Sequence, residues 1–305
     1  MPHYFLDLLM RRSLLTFLVL CLVVPAAHVF GQDLAVSTVL IDGENWQLVS
    51  EGHKFTEGPA VDLEGNVFFT DIPNNRIHRI DAASGKVTVF AENSGGANGL
   101  MFGADGKLFA CQNNLRQIGA YDKDGKVEAV VSDIESNDLV VAGDGSIFVT
   151  DPKGGRVWYI SPQREKRVVA DGLKPNGVIL WRDSGTLVVT DGQEPVLWTF
   201  RVSADGSLSC KEPYYSPLQM LPGSDRPGSD GLTIDSVGRL YVATRAGLQM
   251  FDPTGRLGGA ILKPQNGPLS NACFGGADLK TLYVTAGDKV FKRKTQADGI
   301  RYFKK

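Results

Sequence analysis

Short apolar runs of four to six residues, separated by Asp/Gly turns, fill almost the whole chain, and they come in pairs. The pairs align on one another: "TEGPAVDLEGNVFFTD" from Thr56, "GANGLMFGADGKLFACQ" from Gly96, "ESNDLVVAGDGSIFVTD" from Glu135, "KPNGVILWRDSGTLVVTD" from Lys174, "SDGLTIDSVGRLYVATR" from Ser229 and "SNACFGGADLKTLYVTAG" from Ser270. Each opens on a polar residue, runs apolar, turns and runs apolar again. The openers Glu57, Asn98, Asn137, Asn176, Asp230 and Asn271 are 39–41 residues apart, except for a step of 54 between Asn176 and Asp230. Further strand-like stretches such as "NRIHRIDAASGKVTVFA" follow each pair, so one unit holds about four strands. No sustained 3.6-residue periodicity interrupts them. A period near 40 with four strands per unit predicts an all-β, six-bladed β-propeller with four-stranded blades.

Two segments stand outside the repeat. Residues 203–229, rich in Pro, Gly and Ser, account for the long step and read as an insertion or long loop between blades four and five. "STVLIDGENWQLVSEG", ahead of blade one, has strand character but no blade of its own; it is expected to supply the outer strand of blade six and close the ring, which removes an open edge. At the N-terminus, Arg11 and Arg12 precede an apolar run from Leu14 to Val24, then Pro25 and small residues. That layout reads as a secretory signal over residues 1–31, too short to span a membrane, leaving residues 32–305 as a single propeller domain in the periplasm or outside the cell with no stable membrane anchor.

With 43% hydrophobic residues, 22% charged residues and 35 glycines, the chain resembles an ordinary turn-rich globular protein. Residues 32–305 carry 30 basic and 33 acidic side chains without a Lys/Arg cluster, which argues against nucleic-acid binding and favours a small ligand. Beyond the leader, Cys111, Cys210 and Cys273 show no zinc-type spacing, so one disulfide at most is expected. "GxSxG" is absent, and His53 and His78 are the only histidines past the leader, so neither a Ser-His-Asp relay nor a His-rich zinc site is expected.

The openers carry the candidate chemistry. In a propeller the first strand of each blade lines the central channel, so the six polar residues should converge at one mouth. Burying Glu57 beside Asp230 without a counter-charge is costly, and a cation resolves the conflict. Two carboxylates with several amide oxygens make a hard, oxygen-only set that suits Ca²⁺ or another such divalent cation. The ligands expected from register are Glu57, Asn137, Asn176 and Asp230. A single Asn here could equally form an Asx turn with its own backbone. The turn residues Asp62, Asp105, Asp144, Asp183 and Asp235 are expected to close hairpins, and Thr70-Asp71, Thr150-Asp151 and Thr190-Asp191 to bond backbone groups between blades.

At "FTEGPAVD", "ESNDLVVAGDGSIFVTDP", "KPNGV" and "SDGLTIDSVGRLYVA" the sequence resembles the gluconolactonase, regucalcin and luciferin-regenerating family of six-bladed propellers, from about residue 50 to the C-terminus. The resemblance implies a divalent-metal-dependent hydrolase that opens a sugar lactone. It assigns Glu57, Asn176 and Asp230 to the metal, Asn137 to metal or substrate, Asp138 to support of the site and Asn98 to substrate contact. Asp230 is expected to position or deprotonate the attacking water. The chain departs from the family at "TDPKGGR", which bears on substrate identity, and lacks a tryptophan after "EGP". The competing expectations are an exported binding module with a structural ion, and an esterase or phosphotriesterase using the same oxygen cage.

Overall fold

Each repeated unit combines two things a hairpin needs, a pair of strand-forming apolar runs and a turn whose side chain can satisfy the backbone. Asp62 Oδ1 accepts the N–H groups of Glu64 and Asn66 at 3.0 and 2.8 Å. Asp235 does the same for Val237 and Arg239 at 3.1 and 2.9 Å. Asp105, Asp144 and Asp183 each take one such bond. The turn aspartates therefore close hairpins, as expected.

The computed structural model describes residues 35–302. It is a six-bladed β-propeller of six antiparallel four-stranded sheets. Blade one runs from the channel outward as Thr56–Val61, Val67–Asp71, Arg76–Ile80 and Val87–Glu92. The inner strands of blades two to six are Ala97–Phe102, Leu139–Val141, Pro175–Leu180, Leu232–Ile234 and Asn271–Gly275. Blade six is completed from the other end of the chain: Gln47–Ser50 pairs antiparallel with Lys289–Lys294, in the register Gln47 to Lys292 and Leu48 to Phe291. The expected closure of the ring is present. The leader expected over residues 1–31 lies outside the described residues.

The 203–229 segment is not all loop. Leu208–Tyr215 forms the outer strand of blade four, pairing Leu197 with Tyr215 and Val202 with Leu208, so the connection to blade five spans only residues 216–231. Six of its eight residues are exposed, and its register shifts twice. An edge strand that buries almost nothing carries no apolar alternation to read.

The core lies between blades rather than within one. Leu248 and Met250 of blade five pack with Leu282 and Val284 of blade six, and Val140, Phe148 and Val157 of blade three with Val178, Leu187 and Val189 of blade four. Each large side chain buried there contributes about 1.5–3 kcal/mol. Cys111 and Cys273 are buried within it, and Cys111, Cys210 and Cys273 are all free thiols.

A cavity of about 630 Å³ occupies the channel, walled by Val140, Val178, Ile179, Leu232 and Ala272. At the hairpin-turn end it meets Ile300, Arg301 and Tyr302. There the Arg301 guanidinium donates to the carbonyls of Leu63 and Ala277, and Tyr302 Oη donates to the Leu180 carbonyl at 3.0 Å. The tail thus crosses from blades one and six to blade four. The opposite end of the cavity reaches Asp138 and Asn271, at the starts of the inner strands.

Candidate metal centre

The polar openers stand where successive inner strands approach most closely, and a small residue after the opener makes that approach feasible. A Cβ on Gly99 would collide with the Asp138 carboxylate, and one on Gly231 would collide with the Asn271 amide. Backbone bonds lock the spacing: Gly99 N–H donates to the Asn137 carbonyl at 3.0 Å, and Gly231 N–H to the Ser270 carbonyl at 2.8 Å. Thr70 Oγ1 donates to the Asn98 carbonyl of the next blade at 3.2 Å, and Thr150 Oγ1 to the Asn176 carbonyl of the next. These two threonines join blades as expected.

Several side chains in the ring also accept the N–H of the residue that follows. Glu57 Oε2 takes Gly58 N–H at 2.7 Å, Asp138 Oδ1 takes Leu139 N–H at 2.8 Å and Asn271 Oδ1 takes Ala272 N–H at 2.8 Å. This fixes each head group at the strand entrance. The Asn271 amide then bridges two acids across the channel, with Nδ2 3.4 Å from both Glu57 Oε2 and Asp138 Oδ2. Residues far apart in sequence therefore meet at one point.

Glu57, Asp138, Asn98 and Asn271 are buried. Asn137, Asn176 and Asp230 are partly exposed, yet Asn176 Oδ1 is itself buried and has no hydrogen-bond partner. The Asn137 side chain makes no hydrogen bond to this cluster; Asp138, one residue later, contacts it instead. Asn98 is fixed through its backbone carbonyl at the entrance of blade two. Asn271, an opener with no role assigned from sequence, is the residue that links the acids.

Electrostatics show a cluster of acids without a counter-charge. Burial above all pushes the Glu57 carboxyl up to about 8, with Asp138 adding repulsion. Asp138 rises to about 7, again through burial. Asp230 is raised well above the ordinary carboxylate range by desolvation and then by the charges of Glu57 and Asp138. Among the described residues, no Lys, Arg or His pairs with any of the three. Three mutually repelling acids, an orphaned amide oxygen and only neutral donors fit a hard divalent cation held by oxygen.

The sequence profile of the SMP-30/Gluconolactonase/LRE-like region matches residues 55–288, all six polar entrances included. The chain belongs to the SMP-30/Gluconolactonase/LRE-like family. It is 27% identical over 300 residues to a gluconolactonase of Zymomonas mobilis, covering 83% of this chain and 82% of the relative. It is also 27% identical to a pentonolactonase of Haloferax volcanii, covering 78% of this chain and 84% of that one. A solved gluconolactonase structure from Xanthomonas campestris superposes with a TM-score of 0.75 at 25% identity, over 85% of this chain and 92% of the other.

A second polar cluster lies where the outer strand of blade six leads into blade one, outside the lining of the channel cavity. Ser50 Oγ is 2.7 Å from His53 Nε2, and His53 Nδ1 is 3.3 Å from Asp71 Oδ2, with His78 beside them. A serine, a histidine and an aspartate thus come into line, but the channel cavity reaches neither Ser50 nor His53, so the expectation of no Ser-His-Asp relay is not overturned. Ser50 ends the outer strand of blade six, His53 lies on the segment that follows and Asp71 ends a strand of blade one, so only closure of the ring brings them together.

Proposed function

We propose that this protein is a metal-dependent lactonase acting on sugar lactones, with the cation held by Glu57, Asn176 and Asp230. The observation that carries the reading is the meeting of Glu57, Asp138 and Asp230 with no cationic side chain to balance them, while the buried Asn176 oxygen at the entrance of blade four has no partner. The named relatives, a gluconolactonase and a pentonolactonase, point to the substrate class. Ca²⁺ is the ion that the all-oxygen donor set suits best. When bound, the cation supplies Lewis-acid polarisation of the lactone carbonyl and neutralises the charge that develops on it.

The remaining work falls to this chain's own residues. Asp230, partly open to solvent, orients the attacking water and takes up its proton. Asp138, raised to about 7, stands beside it and is steadied by Asn271, so it supports the charge distribution as the proton moves. On this reading Asn98 and Asn137, at the entrances of blades two and three, hydrogen-bond the hydroxyls of the sugar lactone. The apolar wall of Val140, Val178 and Leu232 limits water behind the ring. On the leader reading of residues 1–31, the enzyme works after export.

The test is hydrolysis of aldonolactones by purified protein with and without a chelator, alongside Glu57→Gln and Asp230→Asn. Activity should vanish with the chelator, return with Ca²⁺, and fall at least about 100-fold in both variants. Activity that survives the chelator and both substitutions would exclude the mechanism. A folded, metal-loaded protein inert on every lactone would point to a binding module.

A further inference from the structure

The blades provide their own control for the second polar cluster. The strand-ending aspartate is followed seven residues later by Trp158 in blade three and Trp198 in blade four. Each indole Nε1–H donates back to that aspartate, at 3.4 Å to Asp151 Oδ2 and 3.2 Å to Asp191 Oδ2. Blade one has Asp71 and, at the same register, His78: His78 pairs across to Phe69 as Trp158 pairs to Val149 and Trp198 to Val189. Yet His78 does not repeat the bond. Its Nε2 is buried and has no partner, while the ring lies stacked on Phe69 at 5.0 Å between centroids. A second imidazole, His53, stands edge-on to it at 4.8 Å.

We propose that His53, Asp71 and His78 form a second metal site, separate from the channel and selective for a transition-metal dication of the zinc class. One ligating atom from each residue lies within 4.8 Å of the other two. Two imidazole nitrogens and one carboxylate oxygen suit zinc and its neighbours and disfavour calcium, which takes oxygen ligands only. With bonds of about 2.0 Å, a tetrahedral ion needs its ligand atoms roughly 3.3 Å apart, so binding draws the three groups inward by about an ångström.

The surroundings hold the ligands as such a site requires. Ser50 Oγ can accept from His53 Nε2–H, which leaves the Nδ1 lone pair facing Asp71. Lys54 N–H and Phe55 N–H hold Asp71 Oδ1 at 3.1 and 3.4 Å, which orients Oδ2 toward the imidazoles. Asn74 Nδ2 donates to Asp71 Oδ2 at 2.7 Å, and a half-turn of that amide would present its oxygen as a fourth ligand. Ser50, His53 and Asp71 also have the order of a nucleophilic relay, but the channel cavity does not reach Ser50 or His53, and that role leaves His78 unexplained. An ion satisfies all of them.

The test uses the whole protein saturated with Ca²⁺, so that the oxygen ring is filled, and titrates it with Co²⁺ and then Zn²⁺. One equivalent of Co²⁺ should bind with visible ligand-field bands and no thiolate charge-transfer band, and Zn²⁺ should displace it. His78→Trp, which installs the residue that blades three and four carry here, and His53→Gln should each stay folded by circular dichroism and weaken zinc binding at least about 100-fold. Glu57→Gln should keep the bands, so failure of the channel centre and failure of this site are distinguishable. A second readout needs no variant: Zn²⁺ should shift the ring-proton resonances of both His53 and His78. No band in the wild type, a band that persists in either folded variant, or unshifted His53 and His78 resonances would overturn the site.

Discussion

At the scale of single residues, the ionisation of the channel acids makes the clearest prediction. Glu57 and Asp138 are raised to about 8 and about 7 by burial. In the metal-free protein the folded state therefore holds protons that the unfolded chain has released, from about pH 5 to about pH 8, and stability should fall as pH rises through that window. His78 acts in the opposite sense lower down: burial, then His53, push it to about 4, so it favours unfolding as pH drops below about 6.5. Thermal melts in chelator should show the decline between pH 6.5 and 8.5, flattened in Glu57→Gln. Saturating Ca²⁺ should remove the decline, and calorimetry in buffers of different ionisation enthalpy should detect protons released on binding. Gly231→Ala tests the packing that sets the ring. The new methyl group meets the Asn271 amide, so Ca²⁺ affinity should drop by about tenfold or more while the circular dichroism spectrum is kept.

Single residues also show where sequence reading stops. Glu57, Asn176 and Asp230 could be placed at the strand entrances from sequence because each fills the same slot of the repeat. In blade three that slot holds Asn137, but the inner strand there is short and begins only at Leu139, so Asp138 lies just before the ladder and turns its carboxylate to Asn271. Neighbouring residues on extended backbone face opposite ways, so alignment by register does not tell which member of an Asn-Asp pair looks inward. His53, Asp71 and His78 were hidden for another reason. The signal is a Trp-to-His exchange visible only when blades are compared strand by strand.

At the scale of elements, apolar runs separated by turns gave every inner hairpin, because strands packed on both sides must be apolar throughout. The outer strand Leu208–Tyr215 was missed because solvent covers most of it. Gln47–Ser50 is the element on which closure depends, since it covers the edge of Lys289–Lys294. A chain starting at residue 52 should leave that edge bare, lower the melting temperature by several degrees and aggregate on heating, as light scattering would show. An unchanged melt would mean the blade is self-sufficient with three strands.

At the scale of the whole molecule, circular closure makes a site from residues that no local segment contains. Blade one supplies Glu57, blade three Asp138, blade five Asp230 and blade six Asn271, and Asn176 stands at the entrance of blade four. The tail closes the other end of the channel. Replacing Arg301 and Tyr302 together by Ala should open the apolar cavity, raise the fluorescence of a hydrophobic dye and leave the Ca²⁺ affinity unchanged, because their bonds to Leu63, Ala277 and Leu180 lie at the turn end. The most direct test of the account is a crystal structure grown with Ca²⁺. It should show one ion in the channel with the carboxylate oxygens of Glu57 and Asp230 and the amide oxygen of Asn176 about 2.3–2.6 Å away. A channel holding only hydrogen bonds among these side chains, in a crystal saturated with Ca²⁺, would contradict it.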